Sequence, residues 1–450
     1  MKKHFWSVVF LTSSIFSVSA YAEVSENHHL PSMPNAEPDK GQIVEFDPEL
    51  ELKQEPGEEV DELEELEAEY PMAFQAVPIV LLSESMKTAY GAAGIIKHAG
   101  QVQASILGVG LYSSNDSWIG FTGLYNYQLP KMDQWFFSFE AYQGHITEAV
   151  IFLDPDDSQG DLSGAQSPER IISLVDESSY KFHAEYVLPI GAGRNGALFS
   201  MFERDKEVSW NPLKSGVSSI TFTPFYETRE LAYFPEVPDT AKGMQVKFEW
   251  DNRNNTYSPT QGGRSQFIVK HGVDVDDEAH WTTWEFEQSF FFDLSDNDWF
   301  KEQVIATNFY LADTPTWNHY DNSTGKYRRP QDFSGISLGG FDRQRGYNTQ
   351  EYTGRTALNY SLEYRVKPHW QPLPNWPLFK LYDIPWWQWV AFAEVGNITD
   401  EFSFSQLHSD MLYTVGAGVR LEVEDLVIRA DYAFNQDGDS HFWVMVNQPF

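Results

Sequence analysis

Leu338-Gly339-Gly340-Phe341-Asp342-Arg343-Gln344-Arg345-Gly346-Tyr347 sets two arginines and an aspartate among glycines and aromatic rings. An arginine fork is permanently charged and fits carboxylates through paired hydrogen bonds, so a buried Arg345 requires acidic partners. Other stretches spell chemistry without the setting for it. Gly335-Ile336-Ser337-Leu338-Gly339 has the letters of a serine-hydrolase elbow. That nucleophile needs a strand–turn–helix with a histidine and an acid, which a long connection between strands does not supply. Gly191-Ala192-Gly193-Arg194-Asn195-Gly196 matches a dinucleotide fingerprint, yet it reads as a tight turn between two strands with no helix after it. Asp154, Asp156, Asp157 and Asp161 form an acidic loop, but Gly160 is misplaced for a calcium hand and no glutamate closes it. Of the 12 histidines, only His28-His29 in the N-terminal segment stand at a metal-like spacing. With no cysteine, thiol catalysis and cysteine-held metals are excluded. The expectation is a non-enzymatic protein with no cofactor and no metal.

Composition narrows the setting. A formal net charge of −35 argues against nucleic acid as a partner, since phosphate binding needs Lys and Arg. Mean hydropathy is −0.43, and after residue 22 no apolar run reaches the length of a membrane helix. Transmembrane barrels are compatible with that value, because only every second residue of a strand faces lipid. The aromatic content of 16% fits the Trp and Tyr girdles of such barrels.

Three segments follow. Lys2 and Lys3, an apolar stretch from Phe5 to Phe16 and the small-x-small end Ala20-Tyr21-Ala22 make 1–22 an export signal. Residues 23–70 are acidic and poor in apolar side chains, and are expected to form a disordered periplasmic tail. From 71 to 450 the chain alternates. Met244, Val246, Phe248 and Trp250 are apolar with Gln245, Lys247 and Glu249 between them. Leu358-Asn359-Tyr360-Ser361-Leu362-Glu363-Tyr364-Arg365-Val366 repeats the pattern, and Trp284, Phe286, Phe290, Phe292 and Leu294 make a third apolar face. Aromatic faces opposite charged ones suit lipid outside and a wet lumen inside. Sixteen strands are expected, at about 88–98, 101–112, 118–128, 134–147, 180–190, 196–208, 216–231, 242–252, 264–274, 281–294, 302–314, 355–367, 386–398, 413–423, 426–434 and 442–450. The fold class is thus all-β, a transmembrane antiparallel barrel. If strand one rises from the periplasm, the 315–354 connection lies on the outer side.

Phe442, Val444, Val446 and Phe450 are expected on one face of the last strand, and a closing aromatic there resembles the recognition signal of outer-membrane barrels. The Leu338–Tyr347 stretch resembles the inward-folding loop of the BamA/TamA superfamily, the bacterial surface antigen family, with its Arg-Gly-aromatic tip. Three more segments match in order. Asp251-Asn252-Arg253 with Pro259 and Gly262-Gly263 resembles a periplasmic turn of that family. Leu362-Glu363-Tyr364-Arg365 resembles its strand twelve, and Phe392-Ala393-Glu394-Val395-Gly396-Asn397 its strand thirteen, where the family usually has Asp at the acidic position. The opening Pro78-Ile79-Val80 through Gly91 and Gly94 is similar, more loosely, to the first strand. The resemblance implies a long loop folded into the lumen, with Arg345, Gly346 and Tyr347 at its tip and Arg345 paired to Glu363, Glu394 or both. Strand parity independently turns Glu363 inward. Asp251 and Arg253 read as turn caps through local hydrogen bonds. Gly91 and Gly94 would loosen a seam between the first and last strands. Residues 23–70 are too short and acidic for a POTRA module, which makes this a barrel-only member by expectation.

The leading expectation is a barrel of the Gram-negative outer membrane that assists insertion or translocation of proteins. Its partners would be outer-membrane lipids, the barrel assembly machinery during biogenesis and unfolded client proteins. The alternative is a passive pore or structural barrel with a plugged lumen and no clients.

Overall fold

The computed structural model describes residues 70–450 apart from 84, 154–168, 203–207, 236, 238, 276–277, 374–383 and 424–425. The expected export signal at 1–22, nearly all of the expected tail at 23–70, His28-His29 and the Asp154–Asp161 stretch lie outside the described residues. Sixteen strands form one antiparallel sheet in which each strand pairs with its neighbour in the chain. They are β1 Ala73–Ser83, β2 Lys87–Lys97, β3 Ser105–Ser113, β4 Trp118–Tyr127, β5 Trp135–Leu153, β6 Glu169–Val187, β7 Val217–Leu231 and β8 Thr240–Asp251. Then follow β9 Gly262–Gly272, β10 Trp281–Asp293, β11 Phe300–Asp313, β12 Thr356–Pro368, β13 Trp387–Thr399, β14 Leu412–Val423, β15 Leu426–Asn435 and β16 Ser440–Val446.

Period-two alternation sets the two faces. In β15, Val427, Arg429, Asp431 and Ala433 are buried, while Tyr432 and Phe434 between and beyond them are exposed. In β8 and β9, Met244, Phe248 and Phe267 face out. The 314–355 connection between β11 and β12 reaches Arg229 of β7 through Gln350 at 3.0 Å and Lys270 of β9 through Ser334 at 2.6 Å. It also reaches His441 of β16 through Asn348 at 3.3 Å. One connection that touches strands from β7 to β16 requires the sheet to curl around it. The architecture is an all-β transmembrane barrel with a loop in its lumen. Among the described residues no helix is long and apolar enough to cross a membrane.

Several strand expectations need correction. The first strand is Ala73–Ser83, which the sequence reading omitted. Its run Val77-Pro78-Ile79-Val80-Leu81-Leu82 does not alternate, and its proline is tolerated because β1 opens the sheet order. Gly91 and Gly94 therefore belong to β2, paired with Ile79 and Ala76 on one side and Leu111 and Gly108 on the other. They do not form a first-strand seam. Of the strand expected at 196–208, Ala197–Phe202 is instead a short helix that follows a 3-10 turn, Gly191–Asn195, and residues 203–207 lie outside the described residues. Ala197 and Met201 stand one helical turn apart and pack against Phe136, Val187 and Val217 at one end of the barrel. So a helix does follow the glycine cluster, contrary to expectation, but it has only six residues. One strand missed and one wrongly added left the total at sixteen. Strands β5 and β6 have 19 residues each and extend well beyond their expected bounds.

Candidate functional site: a lumenal arginine lock

The 314–355 connection narrows to a finger. Ile336–Leu338 pairs with Tyr352–Gly354, and the residues between form the tip. Gln344 turns the tip through the left-handed region at φ 55°, a strained conformation for a side chain with a Cβ. Its amide holds that turn: Nε2 donates to Asn359 Oδ1 at 3.0 Å, and Oε1 accepts from Thr414 Oγ1 at 3.0 Å. Gly346 follows, and its N–H donates to Thr414 Oγ1 at 3.2 Å. A Cβ at Gly346 would stand 2.8 Å from Thr414 Oγ1 and 3.0 Å from Asn435 Cβ, so only glycine passes this point without displacement.

Arg345 is fully buried between these two residues. Its Nη1 lies 2.8 Å from Glu363 Oε1 and 2.8 Å from Asp431 Oδ2, and its Nε donates to Glu394 Oε1 at 3.0 Å. Its backbone N–H donates to the other oxygen of Glu394 at 2.7 Å, and its carbonyl accepts from Trp443 Nε1 at 2.7 Å. The guanidinium carbon sits 3.5 Å above the centre of the Phe392 ring. Strand register makes the socket. Glu363 of β12 stands opposite Phe392 of β13, Phe392 opposite Gly416 of β14, and Gly416 opposite Ala433 of β15. Both Gly416 and Ala433 are small enough to leave room for the ring and the fork.

The carboxylates have partners of their own. Glu363 also binds Arg365 at 2.7 Å and takes a two-pronged contact from Arg420, at 2.9 and 2.8 Å. Asp431 lies 3.5 Å from Arg429 and 3.7 Å from Arg420, and Arg429 reaches Asp342 on the finger at 2.8 Å. Four arginines thus meet four carboxylates, so the cluster balances as a set. Buried charges are tolerated only when so paired, and removal of one member costs about 3–5 kcal/mol. Beside the lock, Arg343 binds Glu287 at 2.5 Å and covers the Tyr310 ring. Tyr347 is fully buried with its ring against Tyr352. Nearer the base of the finger, burial raises the Glu351 carboxyl above the usual range, and hydrogen bonds from Asn348 work against that rise.

The model described as the Omp85 superfamily domain matches residues 177–450, which is 274 of the 450 positions. The chain belongs to the Omp85 superfamily. Among solved structures this Omp85 barrel is similar to CdiB from Escherichia coli, with 12% identity, a TM-score of 0.50, and coverage of 80% of this chain and 58% of that one. CdiB from Acinetobacter baumannii matches with 12% identity, a TM-score of 0.47, and coverage of 81% and 56%. The chain therefore spans less than two thirds of these structures, and at such identity the likeness concerns the fold. No curated protein sequence matches the chain.

The other expected site residues fall as follows in the Omp85 chain. Asp251 accepts from Arg253 at its backbone N–H and Nε, at 3.0 and 2.9 Å, and the second oxygen takes Nη2 at 2.8 Å. Gly262, at φ 89°, closes the β8–β9 turn, in which Pro259 also lies. Phe442 is half-buried on β16. Phe450 departs from expectation: β16 ends at Val446, and Phe450 is buried inside the barrel. Ser337 lies on the finger hairpin opposite Thr353, without the strand–turn–helix of an elbow. The sequence reading missed Asp431, Arg420, Arg429, Asp342, Phe392 and Trp443 as members of the lock. A signal was present for the three on β14 and β15, since charges at inward positions of otherwise apolar strands need partners.

Proposed function

We propose that this Omp85 barrel assists insertion or translocation of proteins at the outer membrane, and that its nearest kinship is with the BamA/TamA branch. The observation that carries the reading is the finger in the lumen, pinned by Arg345 to three buried carboxylates. A lumen filled in this way suits a wall that rearranges for a client better than a standing aqueous path. The strand edges support it: β16 pairs with β15 over seven positions, against thirteen for β11 with β12. Clients would be unfolded outer-membrane strands, with lipid around the barrel and the β8–β9 turn on the periplasmic side. No enzymatic chemistry is assigned to it.

The chain has no cysteine, so single cysteines along Ala73–Ser83 can carry crosslinkers without background. In cells, adducts with nascent barrel strands are expected at β1 and not at mid-wall positions of β10. Failure to capture any client from β1 would remove this reading. A passive pore, by contrast, requires steady ion conductance from the intact chain.

A further inference from the structure

Past β16, Asn447 turns the chain through the left-handed region at φ 72°, and its N–H donates to the Val427 carbonyl at 2.7 Å. The next residues leave the wall. Gln448 bridges two parts of the barrel: its side-chain carbonyl accepts from Arg420 Nη1, and its Nε2 donates to the Tyr257 carbonyl in the β8–β9 turn at 3.1 Å. Phe450 then packs with Phe291 of β10 and with Val304 and Ala306 of β11, and only 4% of it is exposed. The Phe450 and Phe291 ring centres are 6.4 Å apart. The Arg365 guanidinium lies 5.2 Å from the first ring and 5.3 Å from the second.

We propose that this cradle is a peptide-binding site for a segment with an aromatic residue two positions after an amide side chain, filled in cis by Asn447–Phe450. Each part of the cradle reads one feature of the occupant. Phe291, Val304 and Ala306 exclude water from a ring, and Arg365 favours an aromatic face over an aliphatic side chain. Arg420 and the Tyr257 carbonyl together offer a donor and an acceptor, the complement of an amide. Tethering supplies the chain's own segment at an effective concentration of millimolar order, so it outcompetes a free peptide of similar sequence. Another segment enters only when the tether has left. The site stands or falls without reference to any client protein.

The test uses the full chain and a variant lacking residues 447–450, each refolded in detergent and checked by heat-modifiable gel mobility. The probes are fluorescein-labelled Asn-Gln-Pro-Phe and Asn-Gln-Pro-Ala, followed by anisotropy. The shortened barrel should bind the phenylalanine peptide saturably and the alanine peptide at least tenfold more weakly, with the full chain binding neither appreciably. Equal affinity for both peptides, equal binding by both barrels, or no binding by the folded shortened barrel would each overturn the proposal. If the shortened chain fails to fold, the full chain carrying both Gln448→Ala and Phe450→Ala, which empties the amide and the ring positions together, replaces it, with the same outcomes read against the unmodified protein.

Discussion

Two stretches of the inner wall bury side chains by opposite means. Along β2–β5 the inward residues are mainly apolar: Ile95, Leu107, Leu111, Ile119 and Phe121, joined by Tyr125 and Tyr142, form one cluster, with Glu140 held by the Tyr125 hydroxyl at 3.1 Å. Along β12–β15 the inward residues include six charges, Glu363, Arg365, Glu394, Arg420, Arg429 and Asp431, beside apolar Val390, Phe392 and Ala433. The outer faces do not differ in kind, since Tyr112, Trp118 and Leu124 are exposed on the first stretch and Tyr413, Tyr432 and Phe434 on the second. An apolar wall satisfies itself by packing inward residues on one another. A charged wall cannot, because Arg365, Arg420 and Arg429 of β12–β15 are taken up by Glu363 and Asp431, and among the described residues no wall cation reaches Glu394. The finger brings one. The comparison teaches that the loop is held by what the wall lacks.

Arg345→Ala should break the charged half most severely, leaving Glu363, Glu394 and Asp431 short of a partner at a cost of about 3–5 kcal/mol. The midpoint of heat-modifiable unfolding would fall sharply, and conductance in planar bilayers would rise as the finger loosens. Arg345→Lys should restore little, because an ammonium cannot meet three carboxylates with a planar fork. A charge swap, Arg345→Glu with Glu363→Arg, is expected to give no rescue. Glu363 also neutralises Arg365 and Arg420, so the swap sets three arginines together; recovery of the unfolding midpoint would show that those contacts carry little.

In the apolar half, Leu111→Ala should cost roughly 3 kcal/mol through a cavity, with conductance unchanged because the finger keeps its partners. A rise in conductance there would mean that the two halves are not independent. The smallest effect is expected from Gly346→Ala, about 1–3 kcal/mol from the overlap with Thr414 and Asn435. It should move unfolding and conductance together.

The barrel was legible because aromatic alternation is long-lived in this sequence, as in β8 and β12. Its first strand was not, because Val77–Leu82 is a continuous apolar run and cannot be assigned by period alone. Ala197–Phe202 misled for the opposite reason, being too short to display a helical period. At the lock, the Arg345 stretch and the segments around Glu363 and Glu394 stood out as motifs, and the structure brings the three residues together. Asp431 joins them only through register across β13, β14 and β15, which no local pattern displays. Phe450 was placed on the outer face because alternation was carried past Val446. The left-handed turn at Asn447 ends that alternation.

The account rests on the finger tip lying against β14. A Gly346→Cys and Thr414→Cys pair tests this directly in a chain without other cysteines, since a Cβ at 346 would lie 2.8 Å from Thr414 Oγ1, within reach of a disulfide. Oxidation in native outer membranes should give a crosslinked species with altered mobility on an unfolded, non-reducing gel, reversed by thiol. A folded double variant that stays uncrosslinked under the same oxidant would contradict the lock.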